Sequence, residues 1–498
     1  MNKLKISNKQ ENRITLVLIS ILVILILVGF NSSNIGNKVY VKYFEVYVCI
    51  LLIANLVFSF NEKRELFSIY NIFHYTFALY YLGKLILDLI GYEVFGHTVY
   101  YREGILENKY LVFILISLSL SLISLNIGRR LFNYRFKNKI DNIKFENLVN
   151  ENSKNKYFCI CGLIMFTIGL IPTIYILIND FKFILDNSYL GIYSGAGIQK
   201  VNIFIRLLAN FFNIGFILFL STKPKIKLLI GPVGIYLIYI FASALTGGRK
   251  ILFGRIIMLI IYVFLIYKLK FNKKVLVISL LTILGLIIIG QSTVAFRNKY
   301  TMKTSITDKI HSFISDQSTS VYVIGYTKEH EEGFSKPRSK FIVQPIRRYI
   351  LENAISRYLF KQEFNSKQDK EGVKQVQSLS YELSYMMNPK LFEQGHGLGS
   401  SYIAELYLSF GYIGIILGNI IIGFLFMLIQ NKAMKSRLVL FVFCWSIPNI
   451  LLMVRENPLE FLVSLDKPIL VYVILLIIYN FINRYLKDRN IKFISKIM

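Results

Sequence analysis

The 498-residue chain is 54% hydrophobic and carries 40 Phe and 33 Tyr against only 29 acidic residues, more apolar surface than a soluble core can bury. Its 58 Lys and Arg give a formal charge of +29, but the cations lie mainly in short segments between apolar runs, which excludes nucleic acid as the partner and indicates a bilayer as the solvent.

A helix needs about 20 apolar residues to cross a hydrocarbon layer of about 30 Å. Such runs predict helices near 14–30, 40–60, 66–90, 109–128, 157–178, 201–221, 228–246, 251–267, 275–294, 402–430, 438–454 and 464–482. The first follows a basic stretch without a convincing small-residue cleavage site, so it is expected to stay as a helix. The fold class is therefore an all-α polytopic membrane protein of about twelve transmembrane helices.

That number of crossings puts both termini on one side. The segments 1–13, 61–65, 129–156, 222–227, 268–274, 431–437 and 483–498 all fall on that side and hold about 29 of the Lys and Arg residues, which makes it cytoplasmic. Three regions follow: helices one to nine over 1–295, a large extracytoplasmic loop over 296–400, and the last three helices with a cytoplasmic tail over 401–498. The four cysteines, Cys49, Cys159, Cys161 and Cys444, sit in apolar runs and read as small core residues, with no disulfide and no metal site implied.

A loop of that size is too long for a simple connector. Within it, residues 341–361 place Pro345 ahead of a helical pattern whose apolar face is Ile346, Ile350, Leu351, Ala354 and Ile355, an amphipathic helix at the interface. No phosphate-binding loop, dinucleotide fingerprint, zinc spacing or nucleophile elbow is present, so the candidate chemistry rests on cations outside the membrane.

Arg249 closes Thr246-Gly247-Gly248-Arg249 at a helix junction, where the glycines let backbone amides approach an anion; the alternative is a tight turn anchored at the head groups. Arg297, Arg338, Arg347, Arg348 and Arg357 add guanidinium groups on the same side, and such groups match phosphate oxygens. At 100° per residue, Arg347 and Arg357 lie about 80° apart and can converge on one ligand, while Arg348 points elsewhere and can pair with Glu352. Arg206 and Arg255 are ionisable groups within helices and face a cavity or a partner by default. Arg455, beside Glu456, is a lesser candidate. The bland account of any one of these is a contact with anionic lipid.

The most distinctive segment runs from Gly395 to Gly414, a loop leading into helix ten. Glu405 in the first turn of that helix is a candidate general base, or completes the cap or pairs with an arginine. His396, between glycines, could take a proton near neutral pH, although a loop histidine is usually only solvated. Gly411, Gly414, Gly418 and Gly423 read as packing positions.

In helix number, the late outer loop, Thr-Gly-Gly-Arg at 246–249 and the 395–414 segment, the chain resembles the Wzy-type family of O-antigen and capsule repeat-unit polymerases. The resemblance implies a GT-C-like, metal-independent glycosyltransferase without cofactors in the bacterial cytoplasmic membrane. It would move a growing glycan from undecaprenyl diphosphate onto the next lipid-linked repeat unit. Arg249, Arg297, Arg338, Arg347 and Arg357 would then hold diphosphate, with Glu405 or His396 as base. The implied partners are undecaprenyl-diphosphate-linked oligosaccharides, membrane lipids, a chain-length regulator and a flippase. A flippase or other transporter is the main rival, though its outer loops are typically short, and an O-antigen ligase differs only in acceptor.

Overall fold

The computed structural model describes residues 7–30, 37–61, 68–98, 104–141, 151–187, 201–246, 249–267, 306–352, 367–433 and 435–488. In chain order they form α1 (Asn8–Phe30), α2 (Lys38–Asn61), α3 (Ile69–Phe77) and α4 (Gly83–Leu89), then the strands β1 (His97–Thr98) and β2 (Gly104–Ile105), paired antiparallel. There follow α5 (Asn108–Asp141), α6 (Glu151–Asn187), α7 (Ile203–Ser221), α8 (Ile226–Leu245) and α9 (Arg249–Tyr267). The loop segment supplies α10 (Ile306–Ser318), α11 (Ser320–Glu329), α12 (Lys340–Glu352), α13 (Lys370–Val376), α14 (Leu379–Met387) and α15 (Pro389–Glu393). Last come α16 (Tyr402–Ala433), α17 (Arg437–Leu452), α18 (Glu460–Val463) and α19 (Asp466–Asp488).

Among the described residues, nine helices are long and apolar enough to cross a membrane, and Leu252–Tyr267 adds a shorter apolar one. The predicted helix at 275–294 lies outside the described residues. The run expected as one helix over 66–90 is interrupted by a π-helical turn, Ala78–Leu82, between α3 and α4. Ser68 caps its start by accepting from the Asn71 amide at 3.1 Å.

Close helix approach depends on missing side chains. A Cβ at Gly128 of α5 would overlap the Ile420 carbonyl, and one at Gly423 of α16 would overlap the Leu125 carbonyl, so these two helices touch backbone to backbone. On the same pair of elements, Asn419 donates to Ser121 Oγ at 3.3 Å. Next to Gly128, the fully buried Arg129 donates to Glu11 of α1 and to Asn126 Oδ1 at 2.7 Å.

α16 is not the straight crossing that the sequence suggests. Gly411 has φ 64° and ψ −154°, a backbone conformation essentially reserved for glycine, and the chain reverses there. Leu406 packs on Gly418, where a Cβ would stand 2.7 Å from its side chain, and Tyr402 donates to Asn419 Oδ1 at 2.9 Å. Pairing 402 with 419 and 406 with 418 means that the halves 402–410 and 412–433 lie side by side, antiparallel, with Gly411 at the apex. Of the glycines expected to pack, Gly414 and Gly418 thus receive the first half of their own helix and Gly423 receives α5, whereas Gly411 has nothing within 4 Å and serves the reversal.

The loop segment is laid on the bundle. Gly83 of α4 meets Ser318 of α10, Gly325 of α11 meets Leu106 and Ile114, and the Gly96 amide donates to Tyr322 Oη at 3.1 Å. In α12, Val343, Ile346, Tyr349 and Ile350 are exposed while Phe341, Gln344 and Pro345 are buried, so the expected apolar face points away from the protein. The helix begins at Lys340, ahead of Pro345, and Ala354 and Ile355 lie outside the described residues.

Gly411→Ala forces a non-glycine residue into this conformation and is expected to cost about 1–3 kcal/mol. Gly231→Ala in α8, where nothing lies within 4 Å, should be neutral or slightly stabilising. Thermal unfolding of the two detergent-solubilised variants checks the contrast, and equal melting temperatures would remove the apex assignment.

Candidate active site

Two constellations flank the first half of α16, residues 402–410, at the end of the bundle that carries the loop segment. The first is a clip around Glu405, which is 2% exposed. Ser400 Oγ donates to Glu405 Oε1 at 2.5 Å, and Asn457 Nδ2 donates to the other carboxylate oxygen. The same amide nitrogen donates to the Phe341 carbonyl at 2.8 Å. Pro345 explains that contact: it has no N–H to give to the carbonyl four residues earlier, so Phe341 needs a partner from elsewhere. One asparagine therefore joins α12, α16 and the turn after α17. Both carboxylate oxygens are engaged, so Glu405 holds three segments together in this arrangement.

Around the clip, Tyr81 Oη bonds to Ser401 Oγ at 2.6 Å and donates to the Val454 carbonyl, and the Ser400 amide donates to the Arg455 carbonyl at 3.3 Å. The Arg455 guanidinium lies 5.5 Å from the Tyr80 ring centre and donates to Gln317 Oε1 at 3.4 Å. It faces the Gly395 to Ser401 loop, its Nη2 standing 4.0 Å from where a Cβ on Gly399 would be.

The second constellation is a charged cluster. Lys328 donates to Glu331 Oε2 at 2.7 Å and to Tyr407 Oη at 2.8 Å, and Tyr407 donates to the same carboxylate oxygen at 3.2 Å. Arg338 donates to Glu331 Oε1 at 2.9 Å and to its backbone carbonyl at 2.7 Å. The Lys328 ammonium also stands over the rings of Phe113 and Tyr407, at 5.6 and 5.3 Å. Burial pushes the Glu331 carboxyl up, but Lys328, Tyr407 and Arg338 outweigh it and hold the group below its ordinary value. The Arg338 Nε is buried and has no hydrogen-bond partner among the described residues.

Two clefts open on either side of this cluster and share Glu331 and Arg338 as a wall. One, of about 760 Å³, lies at the α16 apex between Lys336–Ser339 and Tyr407–Gly411. The other is an open groove of about 840 Å³ between the ends of α1 and α5 and the turn after α11.

The remaining candidates that the described residues include lie apart from one another, save the neighbours Arg347 and Arg348. Arg347 is half-buried and donates to the Gln375 carbonyl at 3.1 Å, and Arg348 is exposed. His396 is half-buried, and its backbone carbonyl accepts from Gln368. Arg255 donates to Asn213 Oδ1 and Tyr236 Oη, locked between α7, α8 and α9. Arg206 is exposed, within charge range of Asp180 of α6. Arg249 opens α9, but its side chain lies outside the described residues, as do Gly247, Gly248, Glu352, Arg297 and Arg357. Among the described residues no three His, Cys, Asp or Glu side chains gather as a metal-ligand set.

Lys328, Glu331, Tyr407 and Asn457 escape a reading of the sequence. Lys328 and Glu331 show the three-residue spacing of a helical ion pair, and Tyr407 lies within the distinctive 395–414 segment. Asn457 follows Arg455 and Glu456 directly, and only the unpaired Phe341 carbonyl across the fold reveals its use.

The model of one protein family, O-antigen polysaccharide polymerase Wzy, matches residues 12–489. The chain belongs to this family. Neither the curated proteins nor the solved structures give a match. Family membership and the apolar helices together make it a multi-pass membrane protein of polysaccharide biosynthesis, with a repeat-unit polymerase role. The matched span takes in both constellations.

Because the Glu331 carboxyl titrates lower in the folded protein than its unfolded value of about 4.3, its ion pairs stabilise fully above that pH. The contribution is lost as pH falls through the folded value. Glu331→Gln should therefore melt below the wild type at pH 7, with the difference closing below about pH 4, in a melting series across pH. Asn457→Ala, which strands the Phe341 carbonyl and the Glu405 carboxylate, should lower stability by about 3 kcal/mol, read in the same assay.

Proposed function

We propose that the chain polymerises oligosaccharide repeat units carried on undecaprenyl diphosphate, by metal-independent glycosyl transfer at the outer face of the bacterial cytoplasmic membrane. The observation that carries this reading is the family match over residues 12–489, which joins the membrane helices and the loop segment in one unit. Both termini are then cytoplasmic and the two clefts face outward. The helical bundle is compatible with a GT-C-like arrangement.

In the reaction an acceptor hydroxyl of the incoming unit attacks the anomeric carbon of the growing glycan. The bond from that carbon to the diphosphate oxygen breaks, the diphosphate leaves with its lipid, and a base takes the hydroxyl proton. Charge builds on the departing diphosphate, and positioned cations stabilise it. Arg338 suits that role because it lies on the wall of the cleft at the α16 apex, with Lys336 alongside and an unused buried Nε. Arg249, Arg297, Arg347 and Arg357 complete the proposed diphosphate ligands, and Arg455 faces the adjoining loop. Glu405 or His396 is the proposed base. For Glu405 this requires Ser400 or Asn457 to release the carboxylate, so the clip opens as substrate enters.

A chain-length regulator and a flippase supplying the repeat units are the proposed partners. A flippase or a ligase would use the same lipid-linked substrates, and one experiment separates the three. The gene is deleted in its host and complemented with wild type, Arg338→Ala or Arg249→Ala, and surface polysaccharide and lipid-linked intermediates are compared. We expect single repeat units to accumulate, with polymer restored by wild type and reduced about 10²- to 10³-fold in the Arg338 variant. Full-length chains stranded on the lipid carrier would indicate a ligase, and units trapped on the cytoplasmic leaflet a flippase. Unchanged polysaccharide would remove the glycan reading.

A further inference from the structure

The groove between α1, α5 and the turn after α11 differs chemically from the cleft at the α16 apex. Its rim sets the cations Lys109, Lys328 and Arg338 against the carboxylates of Glu329, Glu331 and Glu332, so it offers no net charge to a diphosphate. Its wall is aromatic and aliphatic: Tyr412 is 41% exposed, its ring stands 5.9 Å from that of Phe113, and Tyr110 is half-buried on the same groove, with Ile26, Val112 and Ile116 between the helices. A polyprenyl tail has no use for six charged groups along its path and would desolvate them without return. A sugar ring matches both features. Its C–H face lies on an aromatic ring, and its hydroxyls donate to carboxylates and accept from ammonium or guanidinium groups.

We infer that this groove is a glycan subsite. It holds sugar rings of the growing polysaccharide by stacking on Tyr412 and Tyr110 and by hydrogen bonds to Glu332, Lys109 and the Glu331–Arg338 pair. The inference rests on the polymerase reading and extends it, because neither the family match nor the diphosphate chemistry assigns a place to the polymer. The shared wall supplies the geometry: a glycan in the groove continues past Arg338 into the apex cleft, where its diphosphate end would lie. Tyr412, Tyr110, Glu332 and Lys109 line this groove and not the apex cleft, so they can be separated by mutation from Arg338, which the two share.

The full chain in lipid nanodiscs is titrated with lipid-free oligosaccharide released by mild acid from the host's own surface polysaccharide, and separately with undecaprenyl phosphate. Tyr412→Ala should weaken the oligosaccharide about tenfold, Tyr412→Phe should retain it, and neither should change undecaprenyl phosphate binding. Glu332→Gln, at an exposed position where folding is not at risk, should weaken the oligosaccharide several-fold. In the complemented strain, Tyr412→Ala should still join the first two units while the polymer distribution shifts to shorter chains. Oligosaccharide binding that is absent in wild type, or unchanged in Tyr412→Ala and Glu332→Gln, would overturn the assignment. So would a loss confined to undecaprenyl phosphate, which would make the groove a tail channel. Failure of the polymerase reading shows elsewhere, as unchanged surface polysaccharide in the deletion strain.

Discussion

Backbone polar groups taken out of water must find partners, and this requirement shapes the loop-bearing end of the molecule. Two residues create the difficulty. Gly411 breaks α16 with a conformation that ends one helical ladder and starts another, and Pro345 removes a donor from α12. The answers are local and specific. The first half of α16 is sealed against its own second half by Leu406 and Tyr402, and the orphaned Phe341 carbonyl receives the Asn457 amide. Because Asn457 also donates to Glu405, a backbone problem in one helix fixes a carboxylate in another.

The bundle beneath serves as a rigid floor. α5 and α16 meet through Gly128 and Gly423, close enough that no side chain fits between them, and beside Gly128 the Arg129–Glu11 pair binds α1 to α5. Both α1 and α5 then reach up to form one side of the groove. Removing one partner of a buried pair such as Arg129–Glu11 leaves an uncompensated charge, usually at a cost of about 3–5 kcal/mol. The groove is thus anchored by contacts at the far end of the helices that line it.

The helices were legible because a bilayer imposes length and apolarity, and every predicted run within the described residues falls on helix, with 66–90 and 402–430 broken part-way. Interruptions were less visible. The π-helical turn at Ala78–Leu82 lies in a uniformly apolar and aromatic run, and nothing in Leu-Ser-Phe-Gly-Tyr-Ile distinguishes a reversal at Gly411 from an ordinary packing glycine. Among the candidate residues, Arg338 and Glu405 were visible by type and position, but their partners were not. Glu331 reaches Tyr407 and Glu405 reaches Asn457 only through tertiary contact, across sequence separations that periodicity does not address. Arg255 could be flagged as a charge in an apolar helix, yet its closed arrangement with Asn213 and Tyr236 follows only from how three helices meet.

Asn457 also gives the structure a lever. Its two amide hydrogens are shared between a helix whose outward face is Val343, Ile346 and Ile350 and a carboxylate at the head of α16. Displacing α12 would either break the hydrogen bond to the Phe341 carbonyl or move the nitrogen that holds Glu405. The outward flank of one helix and a buried acid are thus two hydrogen bonds apart, with a single side chain between them.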